Sequence, residues 1–303
     1  MSKNLSLPAP ILAHCLAFGP SLTPDSLRRG LESSLDMGYS GMVIVPAIAS
    51  SDLTPERTAD IFGKFKAQGL VCGLLPGNGP DPIEGDEAAI QQAREIIVSQ
   101  ARFASVLADA GWSNHRMVGP MHTLHRKMRL GWDGPRKKEL DAKLERWINI
   151  LNDIGGELFL DICLEPLNPV EDGTPNPFWT LDRLVMRQLN VRLHYDTGHA
   201  FAHKMSLVDF MAMAPQVGFF EFANVGRQPL HHELGIDFAG YAKAMGRLPD
   251  GCDVAYEPFD QSVIEAFDLG ALCPVTTPGP DCLKMGQAYL STVLNVMAEQ
   301  VPA

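Results

Sequence analysis

The sequence has no cysteine pair spaced CxxC, no excess of positive charge, and no apolar run close to the roughly 20 residues that span a bilayer. Its six cysteines (Cys15, Cys72, Cys163, Cys252, Cys273 and Cys282) lie far apart, the first four in apolar runs where a thiol packs as a small hydrophobe. The chain therefore reads as reduced and cytoplasmic. The opening stretch, MSKNLSLPAPILAHCLAF, is interrupted by His14 and lacks a small-residue cleavage pattern, which argues against a secretory signal. Lys and Arg total 25 against 36 Asp and Glu, a net charge of −11, and a surface of that sign repels a phosphate backbone. Neither nucleic acid nor membrane is expected as a partner. No GxGxxG follows the first apolar run, and GNG at 77–79 lacks the remaining spacing of a dinucleotide fingerprint.

What the chain does have is alternation. Short apolar runs at about 11–18, 41–46, 70–75, 115–120, 157–165, 191–196, 217–223 and 252–257 read as strands, with helical patterns between them. Thr23-Pro24 and Thr54-Pro55 open the first two helices as N-cap and first-turn proline, and Gly69 is expected to end the second. Further helices are expected over about 86–110, 137–154 (closed by Gly155-Gly156), 177–190 and 284–299. Eight strand-helix units without a dividing linker predict a single (β/α)8 TIM barrel domain over residues 1–303, of a size common for such barrels.

Glu165, Asp196, Glu221 and Glu257 each close one of the last four apolar runs, at separations of 31, 25 and 36 positions. In a barrel this delivers four carboxylates to the C-terminal mouth, where active sites form. Buried charge must be paired or bound to metal, and four oxygen donors suit Mg²⁺ or Mn²⁺, with Co²⁺ tolerated. Four carboxylates around one dication leave a formal excess of two negative charges. His199 and Arg227 are the candidates to offset it, unless one carboxylate stays protonated.

Glu165-Pro166-Leu167-Asn168, Asp196-Thr197-Gly198-His199, Ala223-Asn224-Val225-Gly226-Arg227 with Gly235-Ile236-Asp237-Phe238, and Glu257-Pro258-Phe259 resemble the successive motifs of the xylose isomerase-like TIM barrel superfamily. The match is to the branch that includes D-tagatose/D-psicose 3-epimerases and hydroxypyruvate isomerases, and it covers about residues 160–260. The resemblance implies metal ligation and acid/base work by Glu165 and Glu257, ligation by Asp196, and substrate contacts from His199 and Arg227. It also implies a departure, because these epimerases usually carry a metal-binding histidine where this chain has Glu221.

The expected activity is divalent-metal-dependent isomerisation or epimerisation of a small unphosphorylated sugar or hydroxy-ketone through an enediolate. A sugar-acid or inosose-type dehydratase and a non-catalytic sugar-binding barrel are the alternatives. An endonuclease reading is opposed by the charge and by the lack of histidines in GMVIVP and VCGLLP. His122 and His125, with Trp132, lie in the loop after the fourth strand as candidate wall or lid residues, and His231 is a candidate substrate contact after the seventh. His14 reads as a hydrogen-bonded strand residue, Met117, Met121 and Met128 as core filling, and Arg192 as structurally paired. A homo-oligomer is compatible with all of this.

Overall fold

The apolar runs become the staves of a closed barrel: β1 (Ile11–His14), β2 (Gly41–Ile44), β3 (Gln68–Cys72), β4 (Arg116–Gly119), β5 (Asp161–Leu164), β6 (Val191–Asp196), β7 (Val217–Phe222) and β8 (Asp253–Tyr256). Each pairs in parallel with its neighbours, and Ile11 lies opposite Val254 to close the ring. Strands covered on both faces bury nearly every residue, which explains why they read as continuous apolar runs. The computed structural model describes residues 11–124, 129, 132–169, 171, 174–227, 229–230, 235–266 and 277–299.

Around the staves run α1 (Pro24–Asp36), α2 (Pro55–Phe65), α3 (Glu87–Asp109), α4 (Lys137–Leu158), α5 (Pro177–Val185), α6 (Thr197–Ala202), α7 (Leu207–Met213), α8 (Phe238–Ala244), α9 (Gln261–Ala266) and α10 (Gly279–Glu299). The expected caps form: Thr23 Oγ1 accepts from Ser26 N at 3.1 Å, and Thr54 Oγ1 from Arg57 N at 3.2 Å. Among the described residues no helix is long and apolar enough to cross a membrane.

Several boundaries differ from expectation, each for a local reason. β1 stops at His14 because its Nδ1 accepts the Leu16 N–H (3.3 Å) and turns Cys15–Phe18 into a 3-10 helix. α2 ends at Phe65, capped by Lys66 in the left-handed region at φ 52°, while Gly69 enters β3. α4 continues through Gly155-Gly156 to Leu158, so β5 begins only at Asp161. Gly155 serves close approach, since a Cβ there would stand 2.7 Å from both Leu160 O and Asn190 Cβ. α5 ends at Val185, short of the expected 190.

One irregularity in the sheet sets the site. Leu193 pairs with Val217, but His194 pairs with Phe219, so Gly218 is an extra residue in β7. Beyond it, Tyr195 and Phe220 face outward into an aromatic layer with Phe210 and Tyr241. His194, Asp196, Phe219 and Glu221 face inward, and Asp196 lies level with Glu221. A Cβ at Gly218 would approach Cys163 Sγ to 2.7 Å and Arg192 Cδ to 2.8 Å.

At the opposite, N-terminal end, buried Arg116 pairs with Asp253 and Asp161 and donates to Gly251 O at 2.9 Å. Arg192, expected to be paired, donates to Asp161 Oδ2 at 3.1 Å. Removing Arg116 leaves Asp253 buried with its charge uncompensated, so Arg116→Leu is expected to cost about 3–5 kcal/mol in denaturant unfolding. Removing the exposed Arg28 partner of Asp25 is expected to change stability by no more than about 0.5 kcal/mol in the same assay.

Candidate metal and substrate site

The four carboxylates arrive at the mouth by strand geometry. Glu165 directly follows β5, Asp196 is the last residue of β6, Glu221 lies near the end of β7, and Glu257 directly follows β8. All are nearly inaccessible to solvent, from 0% exposed for Asp196 to 7% for Glu257, and one oxygen from each lies within 4.8 Å of the others. Thr197 Oγ1 holds the ends of β6 and β7 together, donating to Ala223 O at 2.7 Å and accepting from Ala223 N at 2.9 Å.

Basic groups surround this cluster. After β7 the backbone turns through the left-handed region at Gly226 and Arg227, bringing the arginine back over the mouth. Arg227 Nη1 lies 2.7 Å from Asp196 Oδ2 and 2.6 Å from Glu257 Oε2. Asp196 also caps α6, its Oδ1 accepting the His199 amide at 2.7 Å. His14, its Nδ1 engaged with the Leu16 amide, aims Nε2 at Glu257 Oε1 across 3.4 Å. His194 bridges two of the acids, with Nε2 3.0 Å from Glu221 Oε2 and Nδ1 3.6 Å from Glu165 Oε2.

The acids respond differently to this crowding. Burial works against the Glu165 carboxylate, but His194, His199 and Arg227 outweigh it and hold its pKa below the usual range. Asp196 is likewise lowered, as Arg227 and His199 overcome burial. Burial and the neighbouring acids push Glu221 well above the ordinary carboxylate value. Glu257 is raised by burial to about 8 despite Arg227. For His199, burial is overcome by Asp196 and Glu165, which favour a second ring proton and raise it to about 9. The Asn168 amide N–H, however, points at Nδ1 from 3.1 Å and occupies the place that proton needs. Nε2 meets opposed demands of its own, lying 3.2 Å from Glu165 Oε1, which accepts a ring proton, and 3.0 Å from Arg227 Nη2, which can only donate.

This cluster can bind a divalent cation. Glu221 Oε1 and His194 Nδ1 are buried with no hydrogen-bond partner among the described residues, and the convergent oxygens match the donor set of a hard cation. Above the cluster opens a cavity of about 380 Å³, a volume suited to a small metabolite. Its lining includes Glu165, Glu257, His14, His199, Arg227 and Glu171, whereas Asp196 and Glu221 lie outside the lining.

The structure thus gathers Glu165, Asp196, Glu221, Glu257, His199 and Arg227 at one place. It does not bring His122 there, a fully buried residue that is not part of the cavity wall. Trp132 is also buried, its Nε1 donating to Asp141 Oδ1 at 3.0 Å. Met117 and Met121 are fully buried in the core. His231, His125 and Met128 lie outside the described residues. Sequence reasoning missed His194, whose one signal was its position two residues before Asp196 on the same strand, which puts both side chains on one face. It also left His14 as a strand residue without a place beside Glu257.

No family model matches the chain, and no curated protein matches it. Solved structures do. An L-ribulose 3-epimerase superposes with a TM-score of 0.82 at 17% identity, covering 97% of this chain and 98% of its own. A D-allulose 3-epimerase from Methylomonas sp., in complex with D-allulose, gives 0.79 at 16% identity over 96% and 99%. The chain shares the (β/α)8 barrel of these epimerases. A 3-keto-D-glucoside 4-epimerase from E. coli has the same barrel, with a TM-score of 0.68 at 16% identity over 94% of this chain and 99% of its own.

Two outcomes follow for this barrel. A side chain that orients ligands is worth about 10–100-fold in metal affinity, so His194→Phe is expected to weaken Mn²⁺ binding by that factor in calorimetry. Between the ordinary value of 4.5 and about 8, the cation-free folded chain holds a proton on Glu257 that the unfolded chain has lost. The unfolded state binds fewer protons there, so the Glu257 contribution to stability falls as pH rises through that interval. A dication that takes the proton's place offsets the fall. Thermal unfolding from about pH 5 to 9, with and without Mn²⁺, is expected to show stabilisation by the cation that grows with pH.

Proposed function

We propose that the protein is an epimerase or isomerase of a small unphosphorylated sugar or hydroxy-ketone, with Glu165 and Glu257 as its proton carriers. The observation that carries this reading is the division of the four acids: Glu165 and Glu257 line the cavity, and Asp196 and Glu221 lie outside its lining. Two carboxylates facing one substrate space is what proton removal and return at carbon requires. Their environments in the cation-free chain differ, Glu165 being held ionised and Glu257 raised to about 8. The barrel shared with sugar epimerases supports the same reading.

A dication held by Glu165, Asp196, Glu221 and Glu257 supplies Lewis-acid polarisation of a substrate carbonyl, which acidifies the adjacent C–H; the oxygen-only donor set favours Mg²⁺ or Mn²⁺, with Co²⁺ as a substitute. Ionised Glu165 accepts the proton from carbon, and Glu257 delivers one. Delivery to the opposite face of the same carbon inverts it, and delivery to the neighbouring carbon interconverts aldose and ketose. Arg227 offers donors to a substrate oxygen from beside both glutamates, and His199 stands with Nε2 between Glu165 and Arg227. Asp196 holds Arg227 and the α6 N-terminus in place.

Glu165→Gln and Glu257→Gln are each expected to lower kcat by about 10²–10⁴ while thermal unfolding remains cooperative. Near-normal turnover in either variant removes that residue from the chemistry. Product formed in D₂O is expected to carry deuterium at the carbon beside the carbonyl, which a sugar-binding barrel without catalysis does not produce. Chelation by EDTA is expected to stop turnover and added Mn²⁺ or Mg²⁺ to restore it; an enzyme indifferent to chelator acts without the cation.

A further inference from the structure

The cavity is chemically two-sided. Its acidic and basic lining residues among those described come from the β5–β8 side of the mouth, joined by His14. The loops after β1, β2 and β3 contribute Leu16, Val45, Ile48 and Leu74, and the segment after β8 adds Phe259 and Val263. Leu16, Ile48 and Leu74 are only half-buried, so apolar surface remains there for a ligand to cover. Among the described residues Asn78 is the hydrogen-bonding side chain on this side, which also carries Cys72, whose thiol burial keeps protonated. The two halves meet at Phe259: the Arg227 guanidinium lies 5.0 Å from its ring centroid, and Leu16 packs against the cluster it forms with Val263 and Ile264.

We propose that the substrate of this site carries an apolar tail: an oxygenated head, one carbonyl and its neighbouring hydroxyl carbon, reaches the glutamates, and the remainder is alkyl, aryl or deoxy carbon. This rests on the proton-transfer reading above and narrows its substrate class. A polyol chain lying along Leu16, Val45, Ile48 and Leu74 exchanges water for surfaces that cannot hydrogen-bond. Each hydroxyl left unpaired there weakens binding about 5- to 150-fold. Asn78 can satisfy one such group. A methylene in the same place strengthens binding about fourfold.

The test is a ladder of 1-hydroxy-2-alkanones from hydroxyacetone to 1-hydroxy-2-hexanone, set against hydroxylated ketoses of matching length such as erythrulose and fructose. The Mn²⁺-supplemented protein is assayed by deuterium exchange at the hydroxyl-bearing carbon and, separately, by calorimetric affinity. KM and Kd are expected to fall about fourfold per added methylene, with each alkyl ketone bound more tightly than the ketose of its length. Ile48→Asn and Leu74→Asn are expected to shrink that alkyl-over-hydroxyl ratio by a factor of about four or more. A flat ladder, or a preference for the ketoses, overturns the apolar tail. Absence of exchange with every hydroxy-ketone overturns the proton-transfer reading instead, and the calorimetric ladder then still decides the tail.

Discussion

Four carboxylates buried within a few ångströms repel one another, and the mouth of the barrel is arranged around that repulsion. Asp196 and Glu221 stand level on adjacent parallel strands, a pairing of like charge that is unfavourable without a cation or a proton between them. Arg227, carried back by a left-handed turn, neutralises one side of the cluster, whereas burial lowers the proton affinities of His14 and His194 and leaves them uncharged beside their acids. What these leave over is borne by Glu221 and Glu257, whose raised proton affinities are the electrostatic mark of a site built for more positive charge than the chain supplies. The N-terminal end of the same barrel shows the contrasting case. There Arg116 and Arg192 answer Asp161 and Asp253, so that end is settled as structure, while the other retains capacity for a ligand.

The legible part of this protein was the part set by period and composition. Apolar runs at barrel spacing gave the eight strands, and acids ending four of them could be read as one cluster because strands of a barrel all point their C-termini at one mouth. Boundaries failed where tertiary contact overrode local preference. Gly155, read with Gly156 as a helix stop, lies inside α4 where Leu160 O and Asn190 leave no room for a side chain. His194 was hidden inside VRLHYD, a run whose other members, Asp196 apart, pack outward or bury in the wall, and its partnership with Glu221 depends on a register that no periodicity reports. The pairing of Arg227 with Asp196 and Glu257 depends on a backbone turn at Gly226, which residue spacing alone does not place.

The cavity extends the asymmetry of the mouth into substrate recognition. The strands that supply acids also supply their counter-groups, so polar chemistry is concentrated on one arc of the rim, and the loops of the first three strands are left to shape. Phe259 belongs to both arcs, meeting the guanidinium on one side and the apolar wall on the other. A ligand seated here is oriented by where its oxygens end.

Gly218 gives the site an unusual vulnerability. Because one supernumerary residue brings Glu221 level with Asp196, the donor set depends on counting along β7 as much as on which residues are encoded. Were Gly218 paired in the ladder instead of set out of it, Phe220 would stand level with Asp196 and Glu221 would turn toward the aromatic layer, with every ligand still encoded. Related chains compared by matching letters alone could therefore retain all four acids and differ in whether they meet.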